Sequence, residues 1–136
     1  MTTKHRQTLA YFAAEGLQNA GGFTIDPATY RHVPPRDVWA VGLYRFGIEF
    51  AARPSVEDIS DYLSTRISVL MSHQRVYFGG WHDRECGRYY LDLVVLIEDR
   101  HDALSRARRE RQAKIHNLKS HEELAVAPAI VAVYCP

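Results

Sequence analysis

Residues 75–98 read RVYFGGWHDRECGRYYLDLVVLIE. Two runs rich in aromatic and β-branched residues, Arg75–His82 and Arg88–Glu98, flank the polar stretch Asp83-Arg84-Glu85-Cys86-Gly87. Such runs around a short polar tip predict a β-hairpin, and Gly87 suits the left-handed position that closes a loop of this length. The second run alternates: Tyr89, Leu91, Leu93, Val95 and Ile97 point to one side, and Tyr90, Asp92, Val94, Leu96 and Glu98 to the other.

Working outward from the hairpin gives the rest of the architecture. Upstream, Ser55 is an N-cap candidate with Asp58 three residues on. Ile59, Tyr62, Leu63, Ile67, Leu70 and Met71 then repeat at helical spacing, which predicts a helix over residues 55–73. Val38–Phe46 before it reads as a strand; whether Gly47–Ala52 prolongs it stays open. Downstream, Asp99 and Asp102 favour a helix start, and the pattern predicts a helix to about Leu118. Lys119–Glu123 follows as a polar connection. Val126–Tyr134 is the last strand, its beginning confined by Pro128 to a sheet edge or a strand start. The order strand, helix, strand, strand, helix, strand over residues 37–136 predicts an α+β, ferredoxin-like βαββαβ unit: an antiparallel four-stranded sheet with two helices on one face.

Residues 1–36 read as an appendage to that unit. Leu9, Phe12, Ala13, Leu17 and Ala20 form one stripe of a helix over 4–20, stopped by Gly21-Gly22. A short strand at Phe23–Asp26 and an extended arm containing Pro34-Pro35 complete it. This division predicts that removing residues 1–22 leaves a folded core.

The composition excludes several classes. The chain has 136 residues, 46% of them hydrophobic and 24% charged, with a net charge of +1, which describes neither a disordered segment nor a globally basic nucleic-acid binder. Cys86 and Cys135 are too few for a disulfide framework and fit free thiols in a reducing compartment better than a single bridge. No signal-peptide core or membrane-length apolar run is present, so a cytoplasmic protein with no membrane partner is expected.

Both sides of the predicted sheet carry large apolar residues. Trp39, Tyr44, Tyr90, Asp92, Val94 and Leu96 are the candidate interaction surface, because a solvated face alternates more cleanly. Its cover is either the N-terminal helix, through Phe12 and Leu17, or a second copy of the chain, which predicts a homodimer; a different partner is the third possibility.

Motifs for chemistry are sparse. Seven histidines show no paired spacing on one helix face, and the sequence has no nucleophile elbow, phosphate-binding loop or CxxC, so no metal, cofactor or catalytic residue is assigned. Asp92 stands mid-strand between apolar neighbours, and a small enzyme using Asp92 with His82 is the least favoured reading. Residues 100–119 carry a net charge of +5, and Arg106, Arg109 and Lys114 are the candidate basic face of the helix expected there. Such a face engages phosphates or stays solvated, so nucleic-acid binding is a rival function. The aromatic pattern of an RNA-recognition sheet is missing around Arg88–Asp92.

Phe78-Gly79-Gly80-Trp81-His82-Asp83, Gly87-Arg88-Tyr89-Tyr90-Leu91-Asp92, Asp99-Arg100, Ala103 and Gln112 form a pattern that resembles small proteins of actinobacteria and their phages. Gly21–Pro27 is similar to the opening of the same group, from which Tyr30 and Cys86 depart where glycine and threonine are expected. The resemblance implies a phage or mobile-element accessory protein and no reaction. The expected function is therefore a small non-catalytic binding protein, self-associating, that modulates a host protein.

Overall fold

The computed structural model describes residues 2–73 and 75–126. The protein is α+β, and the described residues form three helices and an antiparallel sheet of eight strands. In chain order these are α1 (Thr3–Ala20), β1 (Gly22–Asp26), β2 (Arg31–His32), β3 (Trp39–Gly42), β4 (Ile48–Phe50), α2 (Val56–Ser72), β5 (Tyr77–His82), β6 (Tyr89–Ile97), α3 (Arg100–Arg109), β7 (Lys114–Asn117) and β8 (Glu123–Ala125). Across the sheet the order is β2-β1-β5-β6-β3-β7-β8, and β4 also pairs with β6.

The central hairpin forms where the alternation places it, with Trp81 opposite Tyr90 and Phe78 opposite Leu93. Gly80 is required there by close approach: a Cβ would lie 2.7 Å from Phe23 Cζ and 2.9 Å from the Tyr90 carbonyl. α2 also forms as expected, and Ser55 and Asp58 make a complete capping box. The edge of β6 beyond β5 is shared. β3 covers residues 94–97, β4 covers 89–91, and the chain bulges out between them in a turn closed by the Phe46 N–H on the Leu43 carbonyl.

The N-terminal segment is part of the core, which differs from the separable arm read in the sequence. Leu9, Ala13, Leu17, Phe23 and Ile25 lie in one buried cluster with Ile59 and Leu63 of α2 and with Phe78, Leu91 and Leu93 of the sheet. β1 pairs with β5 from Gly22 to Ile25, and β2 extends that edge where an unpaired arm was expected. A second cluster joins Ala103 and Ala107 of α3 to Trp39, Val41 and Ile115. Val95 packs against both clusters. Because Leu91, Leu93 and Val95 share one side of β6, all three helices lie on the same face of the sheet. α1 therefore does not cover the second face; Leu17 points into the first.

Two further expectations change. The basic segment is not one helix to Leu118: α3 ends at Arg109, and residues 114–117 are a strand paired with β3 and β8. The strand expected at Val126–Tyr134 falls almost wholly outside the described residues. Cys86 is disulfide-bonded, against the expectation of a free thiol; Cys135 lies outside the described residues. No described helix is long and apolar enough to cross a membrane.

Candidate functional site

The sequence-derived surface residues separate between the two faces. Trp39 is buried beneath α3 with Ala103 and Ala107. Tyr90, Asp92, Val94 and Leu96 share the face away from the helices, where Tyr90 stacks on Trp81 with ring centroids 4.7 Å apart. Tyr90 and Val94 are nevertheless buried. Tyr44 is 52% exposed, beneath the Arg111 guanidinium at 4.8 Å from the ring centre.

Asp92 is the one member in an unusual electrostatic state. Its side chain occupies the space left by Gly42, where a Cβ would collide with Asp92 Oδ2 and lie 2.6 Å from Gln112 Oε1. Oδ1 is buried with no hydrogen-bond partner among the described residues. Burial pushes the carboxyl up to about 8, against the Leu93 and Leu43 backbone groups that favour its ionised form; Glu110 raises it further and Arg66 lowers it. Asp92 is thus held largely in its neutral form at pH 7, buried within the sheet. His82 does not join it. His82 stacks on Tyr89, with centroids 4.0 Å apart, and this pair belongs to the face opposite Asp92.

The basic positions also disperse. Arg106 is ion-paired with Glu110 at 3.1 Å, Arg109 is exposed on α3, and Lys114 lies on β7 beside Glu123 at 3.5 Å. A single cationic helix face does not form from these three.

The concave feature that sequence reasoning missed is a cleft of about 640 Å³ at the N-terminal end of α1. α1, the β1–β2 turn, the C-terminal end of α2 and the start of β5 converge there. Leu70 and Val76 are buried and supply an apolar floor; Tyr30, Tyr77, His5 and Arg75 surround it, and Met71 is 61% exposed at the rim. The His5 and Tyr30 rings lie 5.2 Å apart. Asp26 is the one acidic residue around the cleft among the described residues, with its Oδ1 accepting the Ala28 N–H.

Tyr30 occupies its place against a backbone preference. Three hairpin loops share one construction. Asp26, Asp83 and Asn117 each accept, through a side-chain oxygen, the N–H two residues on. In each, the backbone carbonyl of that first residue accepts the N–H four residues on, from Tyr30, Gly87 or His121. The closing residue is left-handed in all three, with φ of 60°, 74° and 62°. One loop uses glycine, which is free there; the other two hold a tyrosine and a histidine in a conformation that costs roughly 1–2 kcal/mol. Arg75, which also lines the cleft, is left-handed at φ 67°. Of four described non-glycine residues at positive φ, two therefore line this one cleft. The only sequence signal was Tyr30 standing where a turn glycine is expected. The chain matches no protein-family model, no curated protein and no solved structure, so its functional reading rests on this geometry.

Proposed function

We propose that the protein is a non-catalytic binding module that takes a small ligand in the cleft between the α1 N-terminus and the α2 C-terminus. Its scaffold is a ferredoxin-like unit made of β3, α2, β5, β6, α3 and β7, a reading supported by the sheet order β5-β6-β3-β7 and by α2 and α3 lying on one face. The fused α1–β1–β2 segment adds one wall of the cleft. The observation that carries the proposal is the strain at Tyr30 and Arg75: unfavourable backbone conformations that gather around one concavity mark a site where side-chain placement matters. The volume lies within the range of small-molecule sites, and the lining combines an apolar floor with a few polar groups.

Two other readings have less geometric support. Self-association through the sheet face has a smaller surface than the sequence offers, because Trp39, Tyr90 and Val94 are buried in the single chain. Nucleic-acid binding lacks the continuous basic helix it needs. An accessory role toward a host protein, as the resemblance implies, is compatible with a ligand-dependent module.

The test is a melting-temperature screen of a fragment library on the wild type and on Met71→Arg, a rim change that fills the cleft mouth without touching the buried floor. The proposal predicts fragments that raise the wild-type melting temperature and lose that effect in Met71→Arg. Fragments that stabilise both proteins equally, or none that stabilise the wild type, overturn it.

A further inference from the structure

We infer that the ligand of this cleft is an aromatic monocarboxylate; the inference rests on the cleft being the binding site and adds the chemical class of what it holds. Three observations converge. The floor of Leu70 and Val76 and the rim of Met71 offer apolar contact, and the Tyr30 and His5 rings stand 5.2 Å apart at one wall. Aromatic walls over an aliphatic floor suit a flat apolar body better than a sugar or a polyol.

The polar groups then fix the charge. Arg75 brings a permanent guanidinium, whose planar fork of donors matches a carboxylate. The α1 first turn carries no acidic residue to offset its positive end, which opens at Thr2 on the same cleft. At the α2 end, the Val69 carbonyl is already taken by the His73 N–H, and His73 Nδ1 lies within hydrogen-bond distance of the same oxygen. Asp26 is the opposing charge, and its Oδ1 is held in the loop by the Ala28 N–H. The guanidinium and the carboxylate balance each other, so a negative group on the ligand belongs at the Arg75 side, away from Asp26, and one guanidinium leaves the second charge of a dianion such as a phosphate monoester unmatched.

The left-handed Arg75 supports the same assignment. A glycine or asparagine closes such a backbone position with less strain, yet the chain places its cationic side chain there.

The experiment is calorimetric titration of the full chain with three probes of one shape: indoleacetate, indoleacetamide and tryptamine, which are anionic, neutral and cationic. The expected order is acetate over acetamide over tryptamine, with acetate favoured about tenfold over acetamide by its charge-assisted contact. Arg75→Gln keeps the strained backbone and a side chain of similar reach, and it is predicted to abolish the preference for acetate over acetamide. Arg75→Lys is predicted to retain part of it. Equal binding of acetate and acetamide, or tryptamine binding best, overturns the ligand class while leaving the cleft as the site. Failure of all three probes, together with fragments that do stabilise the protein through the cleft, overturns the aromatic carboxylate; failure of probes and fragments alike overturns the site itself.

Discussion

Single residues set both the strain and the pH behaviour of this protein. At Tyr30 and His121 the loop geometry asks for the residue that the sister loop has in Gly87. His121→Gly relieves an exposed left-handed side chain but enlarges the unfolded ensemble, so a net gain of about 0.5–1 kcal/mol in urea unfolding is expected. Tyr30→Gly relieves the same strain but gives up the packing of a half-buried ring against the core, so it is expected to bring no net gain in stability and to weaken ligand binding in the cleft. Asp92 gives the second residue-scale prediction. Its carboxyl titrates near 8 in the folded chain and near 3.8 when unfolded, so the native state binds the extra proton between those values. Stability therefore falls as pH rises from about 4 to about 8, by up to roughly 1.4 kcal/mol per pH unit from this group, and levels off above. Asp92→Asn keeps the shape without the charge and is predicted to remove that slope and to raise the melting temperature at pH 8. An unchanged slope in the variant contradicts the buried neutral acid.

At the scale of elements, what was legible in the sequence had a local signal. The β5–β6 hairpin had two runs of aromatic and β-branched residues around a polar tip with Gly87, and α2 had a cap and an apolar stripe. Three misread element boundaries share one physical cause: left-handed positions filled by residues other than glycine. Tyr30 hides the β1–β2 hairpin, Arg111 at φ 56° hides the end of α3, and His121 hides the β7–β8 hairpin. Arg111 is the clearest case. Without a glycine stop, the spacing of Ala107, Ile115 and Leu118 fits a continuing helix, whereas Arg111 turns the chain and lays its guanidinium on Tyr44. The cleft was invisible for a different reason, since its lining comes from four elements far apart in sequence. α1 yields the element-scale prediction. Leu9, Ala13 and Leu17 are buried against α2 and the sheet, so deleting residues 1–22 is expected to abolish cooperative thermal unfolding, and Leu17→Ala to cost about 2–5 kcal/mol. A deletion variant with a sharp transition by circular dichroism contradicts the single core.

For the molecule as a whole, the segment read as an appendage completes the scaffold and supplies one wall of the cleft. All three helices pack on one face, and the ends of two of them meet the β1–β2 turn at the cleft. Ligand occupancy and folding are therefore linked, because the walls of the cleft are also walls of the core. The most direct measurement is a titration of the labelled full chain with indoleacetate, followed amide by amide in two-dimensional NMR spectra. The account predicts saturable shifts concentrated at His5, Ala28, Tyr30, Met71, Arg75 and Tyr77, with α3 and β7 unmoved. Shifts centred on Tyr44 and Arg109, or on Tyr90 and Val94, or none at saturating ligand, contradict it.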